Sequence, residues 1–394
     1  MAKLLLSCDN VIYSHQGKYY FKSQEWECFY QRYLRIFEEI RLANRCKEVD
    51  KIKAAMIPIE DHRIEVVYIP EFRGPAQYLR AFREIGKRIR NVTDGCDAAI
   101  IRLPSTIGQR VCNKVIHTRI PYAVECVYDA SDAWRGATSL KDWLLWKKID
   151  IDMRRSCYKA DGVSCVTREY LQRHYFSKKV TAFYANYSSL ALERSFYTSA
   201  RSYPSKQTMT IAHVANQVSY NGRKGHNQLI EAVSLLKQDG ISVKVIFVGG
   251  DYNNGISRLK ELSEKLGVKD LISYSGYVNR QELSAILDDS DIYVMPTQAE
   301  GLPRVIIEAM AKGLPCISTN VSGNPELLDS HFLLEFGDVK SLADRIKELI
   351  TNRKMYEEVS GTNFERSKEY EAIVLQARRD AFYSSLYELC IKKK

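Results

Sequence analysis

The stretch that decides the fold runs from a buried strand through a short loop into a helix: Asp291-Ile-Tyr-Val-Met-Pro-Thr-Gln-Ala-Glu-Gly-Leu-Pro-Arg-Val-Ile-Ile-Glu-Ala-Met-Ala-Lys-Gly313. The apolar run Ile292–Met295 predicts the strand, and Pro303 marks the start of the periodic helical segment. Open parallel sheets bind ligands where a central strand ends and a helix begins. The amides of Gly301 and Leu302, with the helix dipole, therefore predict a diphosphate site worth roughly 0.3–2 kcal/mol.

Two glutamates flank this predicted helix start. Glu300 precedes the helix and Glu308 lies in its second turn, so both can face one bound molecule. Carboxylates beside a phosphate are costly unless they accept hydrogen bonds, and sugar hydroxyls are suitable donors. The pair therefore predicts a ligand that carries both phosphate and sugar groups.

Strands alternate with amphipathic helices on both sides of this stretch, which predicts an α/β fold with parallel sheets. In the second half we predict strands at 208–214, 243–249, 271–274, 292–295, 316–318 and 333–335, separated by helices. In the first half we predict strands at 3–6, 65–69, 98–102, 122–127 and 162–166. First-half helices are predicted near 76–90 and 140–158, and a long surface helix over 25–45.

A chain of 394 residues fits two such domains. The polar stretch between Thr198 and Gln207 contains a proline and no periodicity, so we place the linker there. The predicted domains are 1–200 and 201–370, each Rossmann-like. The closing helix, 371–394, is long enough to reach back to the first domain.

Charge is divided unevenly between these halves. Residues 1–200 hold 33 Lys and Arg against 23 Asp and Glu, whereas residues 201–394 hold 25 of each. A basic first half predicts an anionic partner, either an anionic membrane surface or a phosphorylated substrate, although plain surface solvation explains the same charge. Nucleic acid is disfavoured because the tyrosines are scattered through helices rather than grouped with clustered cations.

The expected location is the cytoplasm, with peripheral binding to the inner face of the membrane. No stretch approaches the roughly 20 apolar residues of a spanning helix, and the apolar start is too short for a signal peptide. The ten cysteines form no Cys-x-x-Cys pair, and Cys126, Cys165 and Cys316 lie in apolar runs. We expect reduced core thiols.

The run Glu300–Ile317 resembles the signature of the retaining GT-B glycosyltransferases of family four. It contains Glu-x7-Glu together with Pro303 and Ala-Met-Ala-x-Gly-x-Pro. The resemblance implies two facing Rossmann-like domains with a cleft between them. It also implies transfer of a sugar from a UDP- or GDP-linked donor to an acceptor hydroxyl, with retention of configuration, no other cofactor and no metal. Glu300 would then be catalytic and Glu308 would bind the donor ribose.

A second segment carries the same resemblance. Ile211–Ala232 is similar to the first donor-domain strand, its basic loop and the following helix, which implies that Lys224 binds the diphosphate. Asn216–Gly222 stands where the family usually has a further arginine, so Arg223 is the local substitute. Tyr277 lies in a stretch that resembles the turn whose main chain contacts the nucleotide base.

The first domain resembles the family only in outline. Gly17 is similar to the glycine loop that lets backbone approach the donor. The family's histidine near the sugar is replaced by Tyr128, and Asp129 keeps a polar group there. The catalytic set implied is Glu300, Lys224 and Asp129.

Alternatives remain at this stage. The Asp-x-Asp matches at 150–152 and 289–291 fall at helices without the loop context of a metal site, and we reject them. A non-catalytic scaffold, a GT-B epimerase or a phosphorylase would share the fold. The acceptor that suits a basic first domain is a lipid-linked saccharide, as in bacterial surface polysaccharide assembly.

Overall fold

The computed structural model describes residues 2–131, 139–190 and 192–393. The chain forms two compact units, Met1–Tyr187 with Gln376–Lys394, and Ser188–Leu375. The division falls about a dozen residues before the predicted linker. Residues from Gln376 onwards belong to the first unit (unit 1), and Ser188–Leu375 form the second (unit 2).

Unit 1 is built on a sheet with ten strands. They are β1 (Lys3–Ser7), β2 (Val11–His15), β3 (Lys18–Phe21), β4 (Glu39–Glu48), β5 (Ile57–Pro58), β6 (Ile64–Pro70), β7 (Ala98–Leu103), β8 (Tyr122–Cys126), β9 (Gly162–Cys165) and β10 (Phe183–Asn186). The order is β10-β9-β8-β7-β1-β4-β2-β3-β5, with β6 also paired to β4. The pairs are parallel except β2 with β3 and β3 with β5.

Four helices of unit 1 precede unit 2 in the chain, among the described residues. They are α1 (Gln24–Gln31), α2 (Gly74–Arg88), α3 (Thr106–Val115) and α4 (Leu140–Tyr158). The predicted helix over 140–158 has the observed bounds of α4. Ser139 caps it by accepting a hydrogen bond from the Asp142 amide.

Unit 2 contains one six-stranded parallel sheet. Its strands are β11 (Met209–Val218), β12 (Val243–Asp251), β13 (Ile272–Gly276), β14 (Ile292–Met295), β15 (Cys316–Thr319) and β16 (Leu333–Leu334), in the order β13-β12-β11-β14-β15-β16. All six predicted strands are present. β14 and β11 lie in the middle of the sheet, so all of β14 and most of β11 are buried.

The helices of unit 2 alternate with these strands, as the sequence predicted. They are α5 (His226–Gln238), α6 (Gly255–Lys265), α7 (Arg280–Asp289), α8 (Arg304–Ala311), α9 (Val339–Thr351) and α10 (Arg353–Ser367), followed by α11 (Ala372–Lys393), most of which belongs to unit 1. The predicted α/β class is therefore confirmed.

The predicted long helix over 25–45 is wrong. The structure has α1 over Gln24–Gln31, a short 3-10 turn, and then β4. The side chains of Ile40, Leu42, Asn44 and Cys46 are buried, at a spacing of two residues. A spacing of two is typical of a strand. The apolar residues that precede it also fit a helical period, and this led to the wrong prediction.

The cysteines fit the sequence prediction. All ten are free thiols, and all except Cys28 are buried. No helix among the described residues is long and apolar enough to cross a bilayer.

A buried carboxylate ties helix α11 to the sheet of unit 1. Glu125, on β8, accepts hydrogen bonds from the hydroxyls of Tyr33 (3.0 Å), Tyr187 (2.8 Å) and Tyr383 (2.8 Å). The guanidinium of Arg102 lies 3.5 Å away. A buried charge is tolerated only when it is paired and hydrogen-bonded, and these groups meet that requirement.

Replacing Tyr383 by Phe should destabilise unit 1, because it removes one hydrogen bond to a buried charge. We expect a loss of about 1.5–3 kcal/mol in the free energy of unfolding. All four tryptophans lie in residues 1–187, so urea unfolding followed by tryptophan fluorescence reports on this unit. Tyr158→Phe, at an exposed tyrosine, is the matched control. Equal midpoints for the two variants would contradict the anchoring role.

Candidate functional site

The loop between β14 and α8 is fixed at the carboxyl edge of the sheet of unit 2. Thr297 is fully buried, and its hydroxyl lies 3.2 Å from the carbonyl oxygen of Arg223 and 3.2 Å from a carboxylate oxygen of Glu300. The amide of Gln298 donates to the same Arg223 carbonyl at 2.7 Å. The loop after β14 and the loop after β11 are therefore joined to each other.

Only glycine fits at position 225, where these two loops meet. Gly225 has a φ of +72°, and an added Cβ would lie 2.0 Å from the carbonyl oxygen of Pro296. Both the backbone conformation and the space exclude a larger residue. This close approach places Lys224, one residue earlier, beside Glu300.

Lys224 and Glu300 form an ion pair between Nζ and Oε1. The glutamate side chain is more deeply buried than the lysine, whose ammonium stays partly open to solvent. The pair lies where β14 ends and α8 begins, which is the position that the sequence predicted for a diphosphate and sugar site. The structure thus brings together two of the predicted catalytic residues.

Glu308 belongs to the same end of the sheet. Tyr293, buried on β14, has a pKa raised well above its usual value, chiefly by burial and then by the neighbouring Cys316, Glu300 and Glu308. Both glutamates are therefore close enough to act on one buried phenol. Glu308 itself is half-buried in α8.

The remaining predicted donor-site residues of unit 2 lie at the same edge. The carbonyl of Gly301 accepts a hydrogen bond from the Gly323 amide at 3.0 Å, and Leu302 is buried. Tyr277 follows β13, and its ring lies over Gly250 at the end of β12, where an added Cβ would be 2.1 Å from the ring. The side chain of Arg223 is exposed beside Lys224.

Two buried histidines beneath the Lys224 loop were not anticipated. His213 on β11 and His226, the first residue of α5, have ring centroids 4.6 Å apart and both pack against Phe247. Nδ1 of His213 lies 2.8 Å from the Val294 carbonyl, so it carries the proton. Within the described chain, Nε2 of His213 and both ring nitrogens of His226 lack a hydrogen-bond partner.

Both imidazoles are neutral at physiological pH. Burial lowers the pKa of His213 to about 4, and burial lowers that of His226 to about 2, with the charge of Lys224 acting in the same direction. The sequence signal for this pair was a histidine on a buried strand and another at the start of the following helix. Neither position alone predicts that the rings meet.

The two predicted residues of unit 1 lie in different settings. Gly17 forms the tight turn of the β2–β3 hairpin, with φ of +77° after Gln16 at +48°. Asp129 is completely buried; one carboxylate oxygen accepts hydrogen bonds from the Tyr175 hydroxyl (2.8 Å) and the Ser131 amide (2.8 Å). Its other oxygen has no partner among the described residues. Its role as a substrate contact stays a prediction.

Three of the four carboxylates in the two Asp-x-Asp matches have protein partners. Asp150 contacts Arg154 and the Tyr175 hydroxyl, and Asp152 pairs with Lys148. Asp291 accepts from the Thr210 amide and pairs with Lys206. In the described ranges, no group of three or more His, Cys, Asp or Glu side chains could hold a metal ion.

Comparison with known proteins identifies relatives of this chain. Residues 203–365 match the family model described as glycosyl transferases, group 1. Protein CapJ of Staphylococcus aureus is 23% identical over 378 residues, covering 92% of each chain. The putative colanic acid biosynthesis glycosyltransferase WcaL of Escherichia coli is 31% identical over 153 residues, or 36% of this chain and 37% of WcaL.

A solved structure shares the fold of this chain. HepE of Anabaena, crystallised in complex with UDP, aligns over 98% of this chain and 100% of its own, with a TM-score of 0.69 and 15% identity. At that identity the similarity establishes the fold. The predicted GT-B class, with two Rossmann-like units, is confirmed.

The buried histidines should make unit 2 less stable in acid. A folded-state pKa of about 4 for His213, against about 6.5 when unfolded, means that the unfolded chain binds more protons between these values. Stability is therefore complete above pH 6.5 and falls as the pH drops towards 4, by about 3 kcal/mol from His213.

Hydrogen exchange of peptides from β11 and α5 at pH 7 and pH 4.5 measures this loss within unit 2. In His226→Phe the partner imidazole is replaced by a ring of similar shape, and the loss should shrink. An equal loss in the wild type and in this variant would contradict the assignment to the pair.

Proposed function

We propose that the chain is a glycosyltransferase that moves a sugar from a nucleotide-sugar donor to an acceptor hydroxyl with retained anomeric configuration. The match of residues 203–365 to the group 1 glycosyl transferases supports this proposal. The observation that carries the proposal is the Lys224–Glu300 pair at the carboxyl edge of β14. A cation for a diphosphate and a carboxylate for a sugar stand side by side there. Calorimetry with a set of nucleotide sugars, followed by turnover assays with those that bind, tests it.

Each donor group has a matching partner in unit 2. Lys224 and Arg223 would bind the diphosphate, assisted by the amides of Gly301 and Leu302 near the start of α8. Glu308 would accept hydrogen bonds from the ribose, and Tyr277 lies in the turn that would contact the base. Glu300 would then accept from hydroxyls of the transferred sugar.

Donor binding would proceed by exchange of partners at the ion pair. Without donor, Lys224 and Glu300 neutralise each other. A diphosphate draws Lys224 away, and this would leave Glu300 as a half-buried, unpaired carboxylate, which is costly. The hydroxyls of the sugar remove that cost by donating to Glu300. The exchange favours a nucleotide that carries a sugar over one that has lost it.

The same cations would stabilise the departing nucleoside diphosphate. Negative charge develops on the diphosphate as its bond to the sugar breaks, and positioned cations and amides stabilise that charge in the transition state. Since Lys224, Arg223 and the α8 amides supply the positive charge, we propose that catalysis needs no divalent metal ion. Asp129 would contact the substrate from unit 1, which requires its buried carboxylate to turn outwards.

The relatives support a donor and an acceptor class. HepE was crystallised in complex with UDP, which supports a UDP-linked donor, and a GDP-linked donor is the alternative. The name of WcaL refers to colanic acid biosynthesis, which supports polysaccharide assembly as the setting. The acceptor proposed is a saccharide, free or lipid-linked, and the location proposed is the cytoplasm at the inner membrane face.

Two variants of the ion pair should change nucleotide affinity in opposite directions. Glu300→Gln frees Lys224, so affinity for UDP or GDP without a sugar should rise about three- to tenfold, while turnover falls. Lys224→Met should lower affinity for the free nucleotide and the nucleotide sugar by about ten- to a hundredfold. Calorimetry gives both. If Glu300→Gln weakens free-nucleotide binding, the exchange of partners does not occur.

Turnover should persist after removal of divalent metal ions. We expect the initial rate in excess EDTA to stay within about twofold of the untreated rate, because the cations that stabilise the diphosphate are side chains. Adding Mn²⁺ or Mg²⁺ back gives the control. Loss of activity in EDTA with recovery on Mn²⁺ would show that the charge is neutralised by a metal.

A further inference from the structure

Helix α4 is apolar on the side that faces solvent as well as on the side that faces the core. Its inward side buries Asp150, Met153, Ser156 and Cys157. Its outward side carries four large apolar side chains, Leu140, Leu144, Ile151 and Tyr158, which are 73%, 55%, 55% and 42% exposed. Their spacings of four and seven residues align them along the whole helix.

Cations flank this apolar row on both sides. At 3.6 residues per turn, an outward arc of roughly 120° contains the four apolar residues and four cations. We call these eight residues the outer stripe of α4: Leu140, Lys141, Leu144, Lys147, Lys148, Ile151, Arg155 and Tyr158. The acidic residues of α4 lie outside the arc.

Several of these cations are available to a partner. Lys141 and Arg155 are exposed and have no acidic partner among the described residues. Nζ of Lys147 lies 4.3 Å from the centroid of the Trp143 ring, next to the apolar row. Lys148 is paired with Asp152.

The surface continues past the end of the helix. The ring of Phe176 lies edge-on to that of Tyr158, with centroids 6.5 Å apart, and Val180 is fully exposed. Nζ of Lys178 lies 5.5 Å from the Tyr158 ring. Of the fifteen exposed large apolar side chains in the described part of the chain, eight fall between residues 140 and 184: Leu140, Leu144, Leu145, Ile151, Tyr158, Phe176, Val180 and Tyr184.

We propose that the outer stripe of α4 docks flat on an anionic phospholipid bilayer. A helix with an apolar row and Lys or Arg at its borders lies in the plane of the interface, with its apolar side chains among the acyl chains and its cations at the lipid phosphates. Surface solvation explains the cations of unit 1 but leaves four aligned, exposed apolar residues unexplained.

Charge favours this partner over a second copy of the chain. Two outer stripes packed against each other would bring cations of one copy against cations of the other. A bilayer of anionic lipids offers acyl chains for the apolar row and phosphates for both borders at once. The inference rests on the proposed function in one respect: a bilayer is where a lipid-linked acceptor would be located.

The test is flotation with vesicles, comparing phosphatidylcholine alone with phosphatidylcholine and phosphatidylglycerol. We expect the full chain to bind the anionic vesicles and to be released at high salt, since the Debye length falls from about 10 Å at 0.1 M to 3 Å at 1 M. The variant L140Q/L144Q/I151Q should bind at least about tenfold more weakly. Fluorescence of Trp143 and Trp146 should shift to the blue on binding only in the wild type.

A matched control removes exposed apolar residues elsewhere in unit 1. The variant L79Q/F82Q on α2 removes two exposed apolar side chains, Leu79 (70% exposed) and Phe82 (48% exposed). This variant should bind vesicles as the wild type does. Equal binding of L140Q/L144Q/I151Q and wild type would overturn the proposal. The proposal would also be overturned if the wild-type protein did not bind vesicles but dimerised through the stripe. Dimerisation would appear as a larger molecular size that the variant does not show.

Nucleotide affinity separates this inference from the proposed function. The three substitutions lie outside the donor site, so calorimetry with the nucleotide sugar should give unchanged affinity in the variant. Lost vesicle binding with retained donor binding supports the surface. Absent donor binding in every form, with vesicle binding intact, would remove the proposed function and leave the surface standing.

Discussion

The close approach of Gly225 to the carbonyl oxygen of Pro296 is the constraint on which the candidate site depends. A side chain at position 225 would force the loop after β11 away from the loop after β14. Lys224 would then lose Glu300, and the carbonyl of Arg223 would lose the Gln298 amide and the Thr297 hydroxyl. The loop with the cation and the loop with the carboxylate are therefore held together, although Lys224 and Glu300 are 76 residues apart in the chain. Because the cation is already positioned, stabilising the diphosphate during the reaction needs no rearrangement of these loops.

Sequence could predict this site because its chemistry lies in two short, continuous segments. The residues around Glu300 carry their own turn and helix-start signals, and those around Lys224 were recognised by their resemblance to a family segment. The contacts between them could not be predicted in the same way. The buried hydroxyl of Thr297 and the two imidazoles depend on which strands are neighbours in the sheet, and a side-chain pattern does not contain that pairing. The same limit explains the error over 25–45, where apolar residues fit two periods and only pairing of β4 with β1, β2 and β6 decides between them.

The two units use buried charge differently. In unit 2 the Lys224–Glu300 pair is partly open to solvent, so a ligand can enter and exchange partners with it. In unit 1 the carboxylate of Glu125 is enclosed by three tyrosine hydroxyls and Arg102, and its partners come from an early turn, β7, the segment after β10, and α11. That arrangement suits an anchor, because a carboxylate with its hydrogen-bonding sites filled has nothing left to offer a substrate. Asp129 lies between these two cases, because one carboxylate oxygen is hydrogen-bonded and the other has no partner in the described ranges of the chain.

The two buried histidines affect the charge that surrounds Lys224. Three ring nitrogens lack a partner within the part of the chain that the structure describes, and this is destabilising because each unsatisfied buried polar atom costs about 1–3 kcal/mol. An apolar aromatic pair would avoid that cost and pack as well against Phe247. With pKa values lowered to about 4 and about 2, the imidazoles stay neutral through the physiological pH range, as an apolar pair would. Within that range the imidazoles add no charge of their own beside Lys224 and Arg223. A histidine of ordinary pKa at the same place would gain a positive charge as the pH fell through about 6.5, and donor affinity would then change with pH.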